Sequence, residues 1–235
     1  GLKQYDYIFS GGGAAGLSLA YHFMRSSLRD RRILIIDRDP KRSNDRTWCF
    51  WANKPNHFSP IYYRSWEKLA FSSSSFSQVY ALSPFRYNML RGIDFYEFTR
   101  SELASRPNID FITAPISQVW ETPDTCLVAA GGETFMGGWV FDSRFGPNDL
   151  LRNPARYQYL KQHFVGWEIE TSSDTFDPAV PVLFDFRTPQ LGSMRFFYVL
   201  PYSTRSALVE YTLFSTQVLT SDEYDNGLRE YLNRV

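Results

Sequence analysis

The sequence lacks the patterns that would identify a metal centre, a disulfide scaffold or a membrane span. Its two cysteines, Cys49 and Cys126, are too few for a disulfide framework and fit no zinc spacing, which favours a reducing compartment and a cytoplasmic protein. The histidines, His22, His57 and His163, share no ligand spacing, so we expect no metal site. No apolar run approaches the roughly 20 residues of a spanning helix, and no signal peptide is evident.

An excess of charge of either sign is also missing. Lys plus Arg and Asp plus Glu number 25 each, which excludes the basic surface typical of nucleic-acid-binding proteins. Aromatic residues, by contrast, make up 17% of the chain. This abundance fits either an aromatic core or a site lined for an apolar, conjugated or cationic guest, and composition leaves both open.

The N-terminal residues predict a βαβ unit with a glycine-rich turn. Residues 5–10 and 33–36 are apolar and strand-like, and residues 14–24 carry apolar side chains at helical spacing. Between the first strand and the helix, Gly11, Gly13 and Gly16 match the three positions of a dinucleotide-binding fingerprint. The following Ala14 and Ala15 would place free amides at a helix N-terminus, which suits a pyrophosphate.

Asp37 completes the fingerprint, because it ends the second strand where an acidic residue accepts hydrogen bonds from ribose hydroxyls. The pattern alone does not separate FAD from NAD. A long loop follows the second strand here, over residues 37–60, in place of a third strand and helix, and this favours FAD.

The remaining sequence predicts further strands and two helices. A helix is expected over residues 94–106 with Asp94 as its N-cap, and a capping box at Thr220 and Glu223 predicts a C-terminal helix. We therefore expect an α/β protein with a Rossmann-like FAD-binding domain over residues 1–155 and an antiparallel β-rich substrate domain over residues 156–235. The first domain would be discontinuous, with strands near residues 60–90 that could join the substrate domain. The predicted strands after residue 60 cover residues 67–71, 78–82, 109–112, 116–120, 125–129, 134–136, 138–142, 164–170, 182–187, 195–200 and 207–214.

A set of longer motifs along the whole chain resembles one family. The motifs are Ile35-Ile-Asp-Arg-Asp-Pro40, Asn44-Asp-Arg-Thr-Trp-Cys-Phe-Trp51, Tyr87-Asn-Met-Leu-Arg-Gly92, Phe141-Asp-Ser-Arg144, Gln162-His-Phe-Val-Gly-Trp167, Phe184-Asp-Phe-Arg187, Tyr198-Val-Leu-Pro201 and Leu208-Val-Glu-Tyr-Thr212. In this order they resemble the bacterial β-type lycopene cyclases. The resemblance implies a fold similar to the flavin monooxygenases, FAD in its reduced form, NADPH as reductant, lycopene as substrate and peripheral contact with a membrane. It also implies a glycine-rich segment beyond Val235, and hence a truncated chain.

Glu210 is the candidate catalytic acid. Ring closure of a linear polyene end needs a proton donor that stays protonated near neutral pH, and burial raises the pKa of a carboxyl group. Alternation places Glu210 on one face with Leu208, Thr212 and Phe214. From the pattern alone, a surface glutamate on the solvated side of a sheet is the commoner outcome. The match to the acidic motif of the lycopene cyclases reverses that preference.

Further cofactor-binding candidates follow from the same resemblance. Arg38 is one candidate. Arg46 could approach the cofactor phosphates, and Trp48 or Trp51 could lie against the flavin or the substrate, although a loop fixed by aromatic packing is an equal alternative. Asp142 and Arg144 could approach the flavin or form only a salt bridge at the end of a strand.

Asp185 and Arg187 are two positions apart on one face of a predicted strand. A simple ion pair on the surface is favoured slightly over a catalytic role for them.

Two other functions stay open at this stage. The same fold could carry a flavin-dependent monooxygenase or a prenyl or carotenoid reductase, which would consume NADPH in step with product. The chain could also be an inactive flavin-binding fragment, which would show neither bound flavin nor carotene turnover until it is extended.

Overall fold

The computed structural model describes residues 1–146, 155–156 and 159–235. The predicted domain boundary at residues 155–156 lies beside residues 147–154 and 157–158, which are outside the described part. The chain divides into two compact units. The first comprises Gly1–Trp48 and Leu90–Asp149, and the second comprises Cys49–Met89 and Leu150–Val235.

The elements alternate between strands and a few helices. The strands are β1 (Lys3–Ser10), β2 (Ile33–Asp37), β3 (Thr47–Ala52), β4 (Arg64–Trp66), β5 (Lys68–Ser72), β6 (Ser77–Ala81), β7 (Arg86–Arg91), β8 (Ile109–Thr113), β9 (Ile116–Glu121), β10 (Cys126–Ala130), β11 (Glu133–Asp142), β12 (Lys161–Glu170), β13 (Val182–Asp185), β14 (Met194–Pro201) and β15 (Ser206–Ser215). The helices are α1 (Ala14–Phe23), α2 (Gly92–Ala104) and α3 (Ser221–Leu232), with a short 3₁₀ turn at Ser59–Ile61. None of the helices in the described ranges is long and apolar enough to cross a bilayer.

The first unit is built on a six-stranded sheet in the order β8-β2-β1-β11-β10-β9. Strands β8, β2, β1 and β11 are mutually parallel, whereas β10 pairs antiparallel with both β11 and β9. The residues of β2 from Ile33 to Ile36 are almost fully buried, as expected for a central parallel strand covered on both faces. The carboxyl ends of β1, β2 and β11 therefore meet at one edge of the sheet.

The second unit carries a six-stranded sheet in the order β12-β15-β14-β13-β5-β6. One face of β15 packs against α3, where Val209, Tyr211 and Leu213 meet Tyr224 and Leu228. The capping box at the start of α3 is confirmed. Side chains alternate along a strand, so the opposite face of β15 presents the other set of residues, which includes the predicted acid.

A three-stranded sheet in the order β3-β7-β4 packs against this opposite face of β15. Trp66 of β4, together with Tyr87 and Met89 of β7, forms one buried cluster with Leu200 of β14. Leu208 of β15 packs against the same cluster. The opposite face of β15 is thus partly covered by aromatic and apolar side chains.

The predicted fold class is confirmed, and two predicted details are wrong. Helix α2 begins at Gly92 with Arg91 as its N-cap, and Asp94 is no cap because both of its carboxylate oxygens accept hydrogen bonds from the Arg91 guanidinium, at 2.7 and 2.9 Å. The expected loop over residues 37–60 contains strand β3 and the 3₁₀ turn. The predicted antiparallel pairing within residues 156–235 is confirmed for β12, β15, β14 and β13, and β5 joins this sheet in parallel with β13.

Candidate functional site

The glycine turn between β1 and α1 needs glycine for two different physical reasons. Gly11 has a φ of 125°, and a Cβ there would collide with the Ser143 side chain. Gly16 has no such backbone requirement, but its Cβ would collide with the carbonyl oxygen of Gly11. The first position therefore sets the turn, and the last permits close packing of the helix on the strand.

Gly13 differs from both, because nothing lies within 4 Å of where its Cβ would be. It is the N-cap of α1, and its backbone is extended. In the described part of the chain, no acidic side chain occupies the first turn of α1 and no side chain caps it. Open space thus adjoins the N-cap at the positive terminus of α1, an arrangement that fits a pyrophosphate.

Asp37 lies at the carboxyl end of β2, next to the same turn. Its carboxylate accepts hydrogen bonds from the amide of Gly12, at 2.7 Å, and from the amide of Asp39, at 2.8 Å. The Lys41 ammonium lies 4.0 Å from Asp37 Oδ2. The sequence indicated the acid, but it gave no sign that the glycine turn itself would hold the carboxylate in place.

A cavity of about 410 Å³ opens at this edge of the sheet. Gly11, Asp37, Arg38 and Arg144 are among the residues that line it. It is also lined by Ser10, whose buried hydroxyl has no hydrogen-bond partner among the described residues. A buried polar atom without a partner is unusual in a folded protein and fits a site that a polar ligand completes. The residues present therefore suit an ADP-bearing cofactor.

Asp142 and Arg144 lie at the end of β11 and form a two-point ion pair, with N···O distances of 2.9 and 2.8 Å. Hydrogen bonds from Arg144 hold the pKa of the Asp142 carboxyl below its usual range. The salt bridge that was one of the two predicted alternatives is present, and it fixes the Arg144 guanidinium at the wall of the cavity. A role in cofactor binding stays a prediction for both residues.

Arg46 and Trp48 are placed beside α2, and neither belongs to the cavity lining that includes Gly11 and Asp37. The Arg46 carbonyl accepts the Gly92 amide at 2.7 Å. The Trp48 ring packs edge-on against Phe95 and Tyr96, with centroids 5.4 and 5.9 Å away. These contacts match the packing alternative, and cofactor contact by these two residues stays a prediction.

Glu210 lies in the middle of β15, on the face opposite α3. In the sheet register it stands across from Gly166 on β12 and from Tyr198 on β14. Its Oε1 accepts a hydrogen bond from the Thr212 hydroxyl at 3.1 Å. Burial raises the pKa of the Glu210 carboxyl above its usual range, and the Thr212 hydrogen bond opposes this only in part. The shift is in the direction that a general acid requires.

The groups around Glu210 are neutral, and sequence reasoning missed most of them. Cys49 of β3 and Tyr87 of β7 are near enough to feel the Glu210 charge, and the Tyr87 hydroxyl donates to the Cys49 sulfur. Burial raises the pKa of the Cys49 thiol to about 11 and also raises those of the Tyr87 and Tyr198 hydroxyls. Packing of β3 and β7 against β14 and β15, which lie more than 100 residues away in sequence, assembles this cluster, and no local pattern could have predicted it.

Aromatic rings extend this face along the sheet. Phe196 lies 5.1 Å from both Tyr198 and Phe184, measured between ring centroids. Phe184 in turn contacts Phe71 at 6.4 Å. Some of the many aromatic residues of the chain thus line one face of the second sheet, beside the carboxyl group of Glu210.

Asp185 is fully buried, which the sequence did not predict. Its carboxylate accepts two hydrogen bonds from the Arg187 guanidinium, at 2.9 and 2.7 Å, and one from the Tyr231 hydroxyl at 2.8 Å. Although burial opposes it, these hydrogen bonds hold the pKa of Asp185 below its usual range. The expected ion pair is present with Arg187 exposed, but its Asp185 half is buried, and the hydrogen bond from Tyr231 connects Asp185 of β13 to α3.

Comparison with solved structures supports the fold. A geranylgeranyl bacteriochlorophyll reductase-like protein from Thermoplasma acidophilum is 15% identical, with a TM-score of 0.68 over 100% of this chain and 62% of that one. A flavin-dependent halogenase from Xanthomonas campestris is 9% identical, with a TM-score of 0.71 over 97% of this chain and 59% of that one. A flavoprotein/dehydrogenase from Cytophaga hutchinsonii is 11% identical, with a TM-score of 0.63 over 90% of this chain and 56% of that one. The chain therefore spans about 60% of the length of such structures.

Sequence comparison identifies the family. No curated protein matches the chain. The family model described as lycopene cyclase protein matches residues 6–235, which is nearly the whole sequence. The chain therefore belongs to the lycopene cyclase family.

Proposed function

We propose that this protein is a lycopene β-cyclase, which closes the linear ends of lycopene into β-rings with FAD in its reduced form. The observation that carries the proposal is Glu210, a carboxyl group whose pKa is raised by burial, on an aromatic sheet face. The match to the lycopene cyclase family supports the same substrate class.

The reaction requires one proton to be added and one to be removed. Protonation of the terminal double bond gives a tertiary cation, the neighbouring alkene attacks it to form the ring, and loss of a proton restores a double bond. No electrons are gained or lost overall. The protein must therefore supply an acid, a proton acceptor and a dry pocket that stabilises positive charge.

Glu210 is the proposed acid, and its hydrogen bonding indicates which oxygen carries the proton. The Thr212 hydroxyl donates to Oε1, so the proton resides on Oε2. The Tyr198 ring beside it, and the rings of Phe196 and Phe184 farther along the face, present π-electron density that favours a cation. After proton transfer the carboxylate stands next to the new cation and is the nearest candidate to take up the second proton.

The glycine turn is the proposed cofactor site. Gly13, Ala14 and Ala15 would hold the pyrophosphate of FAD, and Asp37 would accept from the ribose hydroxyls. When bound, the reduced flavin would supply a negatively charged ring system that favours formation of a cation. NADPH is the proposed reductant.

The substrate is a membrane-soluble carotenoid, so peripheral contact with the cytoplasmic face of a membrane is part of the proposal. A polyene in a bilayer can reach the buried Glu210 only if the protein docks on that bilayer.

The test is anaerobic incubation of the full-length protein with lycopene, FAD and NADPH, followed by chromatography of the pigments. We expect lycopene to be converted to a cyclic product without stoichiometric oxidation of NADPH. Lycopene that remains unchanged would contradict the proposal.

A reductase is the second candidate, favoured by the structural similarity to the geranylgeranyl bacteriochlorophyll reductase-like protein. In that case NADPH would be oxidised in step with a reduced, still linear product. Oxygen consumed in step with NADPH would instead indicate a monooxygenase, so the same incubation repeated in air separates all three activities.

A further inference from the structure

Gly166 is an unexplained glycine in the middle of the ten-residue strand β12. Glycine weakens the interior of a strand, and it often marks a place where a ligand or another backbone approaches closely. Gly166 does not have the positive φ that would demand glycine. The backbone conformation therefore gives no reason for its presence.

Steric crowding does not explain Gly166 either. A Cβ at this position would lie 3.2 Å from Leu208 Cδ1, 3.6 Å from Glu210 Oε2 and 3.7 Å from Glu210 Cβ. No backbone atom is among these contacts, and the end of a leucine side chain can move by a few tenths of an ångström. Alanine would fit here, so the missing side chain leaves space that the protein itself does not need.

That space adjoins the reactive oxygen of the proposed acid. Gly166 is exposed and lies directly across the sheet from Glu210, whose Oε2 is the nearest polar atom to the missing Cβ. Oε1 is already engaged by Thr212, so Oε2 is the oxygen that can donate a proton. The space that Gly166 leaves open lies beside this oxygen, so a group that takes the proton can approach through it.

The open space over Gly166 forms a notch, which is flanked by apolar and aromatic side chains along the strand direction. Phe164, two residues before Gly166 and therefore on the same face, is 53% exposed. Tyr198 stands on the other side of Glu210. An apolar chain whose end reaches Oε2 can thus lie over Phe164 while its terminal carbons sit above Gly166.

We propose that the notch over Gly166 receives the reacting end of a linear isoprenoid polyene, and that residue size at this position determines which end groups reach Glu210. The inference rests on the proposed cyclase function and adds to it a residue that controls substrate fit. A larger side chain at position 166 would hold the terminal double bond away from Oε2.

The test compares Gly166→Ala and Gly166→Val with Glu170→Val in the full-length, FAD-loaded protein. Glu170 lies on the same face of the same strand but stands across from Ser206, so Val at this position is a matched control. We expect turnover to fall about tenfold for Gly166→Ala and at least a hundredfold for Gly166→Val, because a displacement of about 1 Å suffices for such a loss. Glu170→Val should keep the wild-type rate.

Stability separates this role from a structural one. Replacing glycine in a strand should leave the melting temperature unchanged or raise it, and the flavin content should be unaffected. Gly166→Val with turnover within twofold of wild type would overturn the inference. So would a loss of turnover that merely follows a loss of folding or of flavin.

Measurement of lycopene binding separates a failure of the proposed notch from a failure of the proposed cyclase function. Binding can be followed by quenching of tryptophan fluorescence in detergent micelles, with or without catalysis. A wild type that binds lycopene without cyclising it, and loses binding in Gly166→Val, would contradict the cyclase function but support the notch. A wild type that neither binds nor cyclises lycopene would contradict both.

Discussion

Two glycines of the β1–α1 turn should respond to the same substitution in opposite ways. In Gly16→Ala the new Cβ would lie under 3.0 Å from the Gly11 carbonyl oxygen, so the helix or the turn must move. In Gly13→Ala the new Cβ would meet nothing within 4 Å. The first change therefore strains the protein itself, whereas the second fills space in which we place the cofactor pyrophosphate.

The expected magnitudes follow from these contacts. Overpacking of the Gly16→Ala kind costs about 2 kcal/mol, which for a protein of this size lowers the melting temperature by about 4–8 °C. For Gly13→Ala, the loss of a favourable N-cap residue, roughly 0.5–1 kcal/mol, is offset by a similar gain from a less flexible unfolded chain. Its apoprotein stability should therefore stay within about 0.5 kcal/mol of wild type. FAD affinity should nevertheless fall at least tenfold, or about 1.4 kcal/mol.

Thermal unfolding of the apoproteins and titration with FAD, followed by flavin fluorescence, measure the two effects separately. Wild-type FAD affinity in Gly13→Ala would refute the placement of the pyrophosphate at this turn. Equal destabilisation of the two apoproteins would refute the steric reasoning.

Three further predictions concern packing and ionisation in the second unit. Asp185→Asn removes a buried carboxylate that accepts hydrogen bonds from Arg187. Because the Arg187 side chain is exposed and can turn to solvent, we expect the free energy of unfolding in urea to fall by about 2 kcal/mol, whereas Asp174→Asn, from an exposed pair, should cost at most about 1 kcal/mol. The pKa of Asp185 is lowered in the folded protein, so its contribution to stability is present at neutral pH and is lost as the pH falls through that pKa. A urea midpoint that is equally sensitive to acid in wild type and in Asp185→Asn would contradict this. Thr220→Ala breaks the capping box of α3 and should lower the free energy of unfolding by about 1 kcal/mol, which lowers the melting temperature by about 2–4 °C. An unchanged melting temperature would count against a stabilising role of the cap. Burial raises the pKa of the Cys49 thiol from 9.0 to about 11. Its alkylation at pH 8, followed by peptide mapping, should therefore be about a hundredfold slower in the folded protein than in urea. Similar rates would show that the thiol is not shielded.

The sequence predicted the first unit well because its signals are local. The glycine turn, the buried run of β2 and Asp37 all lie within 40 residues and obey one known geometry. Hydrophobic periodicity also located β5, β6 and β12 to β15 of the second unit to within a few residues, whereas β4 and β7 were not predicted. Strand β3 escaped prediction because Trp48, Cys49 and their neighbours are flanked by polar residues typical of a loop.

Pairing and burial were not predictable in the same way. Nothing near Glu210 in sequence specifies that Gly166 lies opposite it or that Cys49 and Tyr87 surround it, since register is set by the packing of distant strands. The burial of Asp185 likewise depends on α3, which is more than 30 residues away. The acid could be nominated from its motif, whereas the groups that raise its pKa required the structure.

The central claim is that Glu210 is the proton donor for ring closure. We predict that Glu210→Gln in the full-length, FAD-loaded protein lowers cyclisation of lycopene by about a hundredfold or more, with unchanged flavin content and melting temperature. Glu170→Gln, an exposed glutamate on the neighbouring strand, should keep wild-type activity. The wild type should be active at low pH and lose activity as the pH rises through the raised pKa of Glu210, since only the protonated form can donate. Cyclisation by Glu210→Gln at the wild-type rate would contradict the claim.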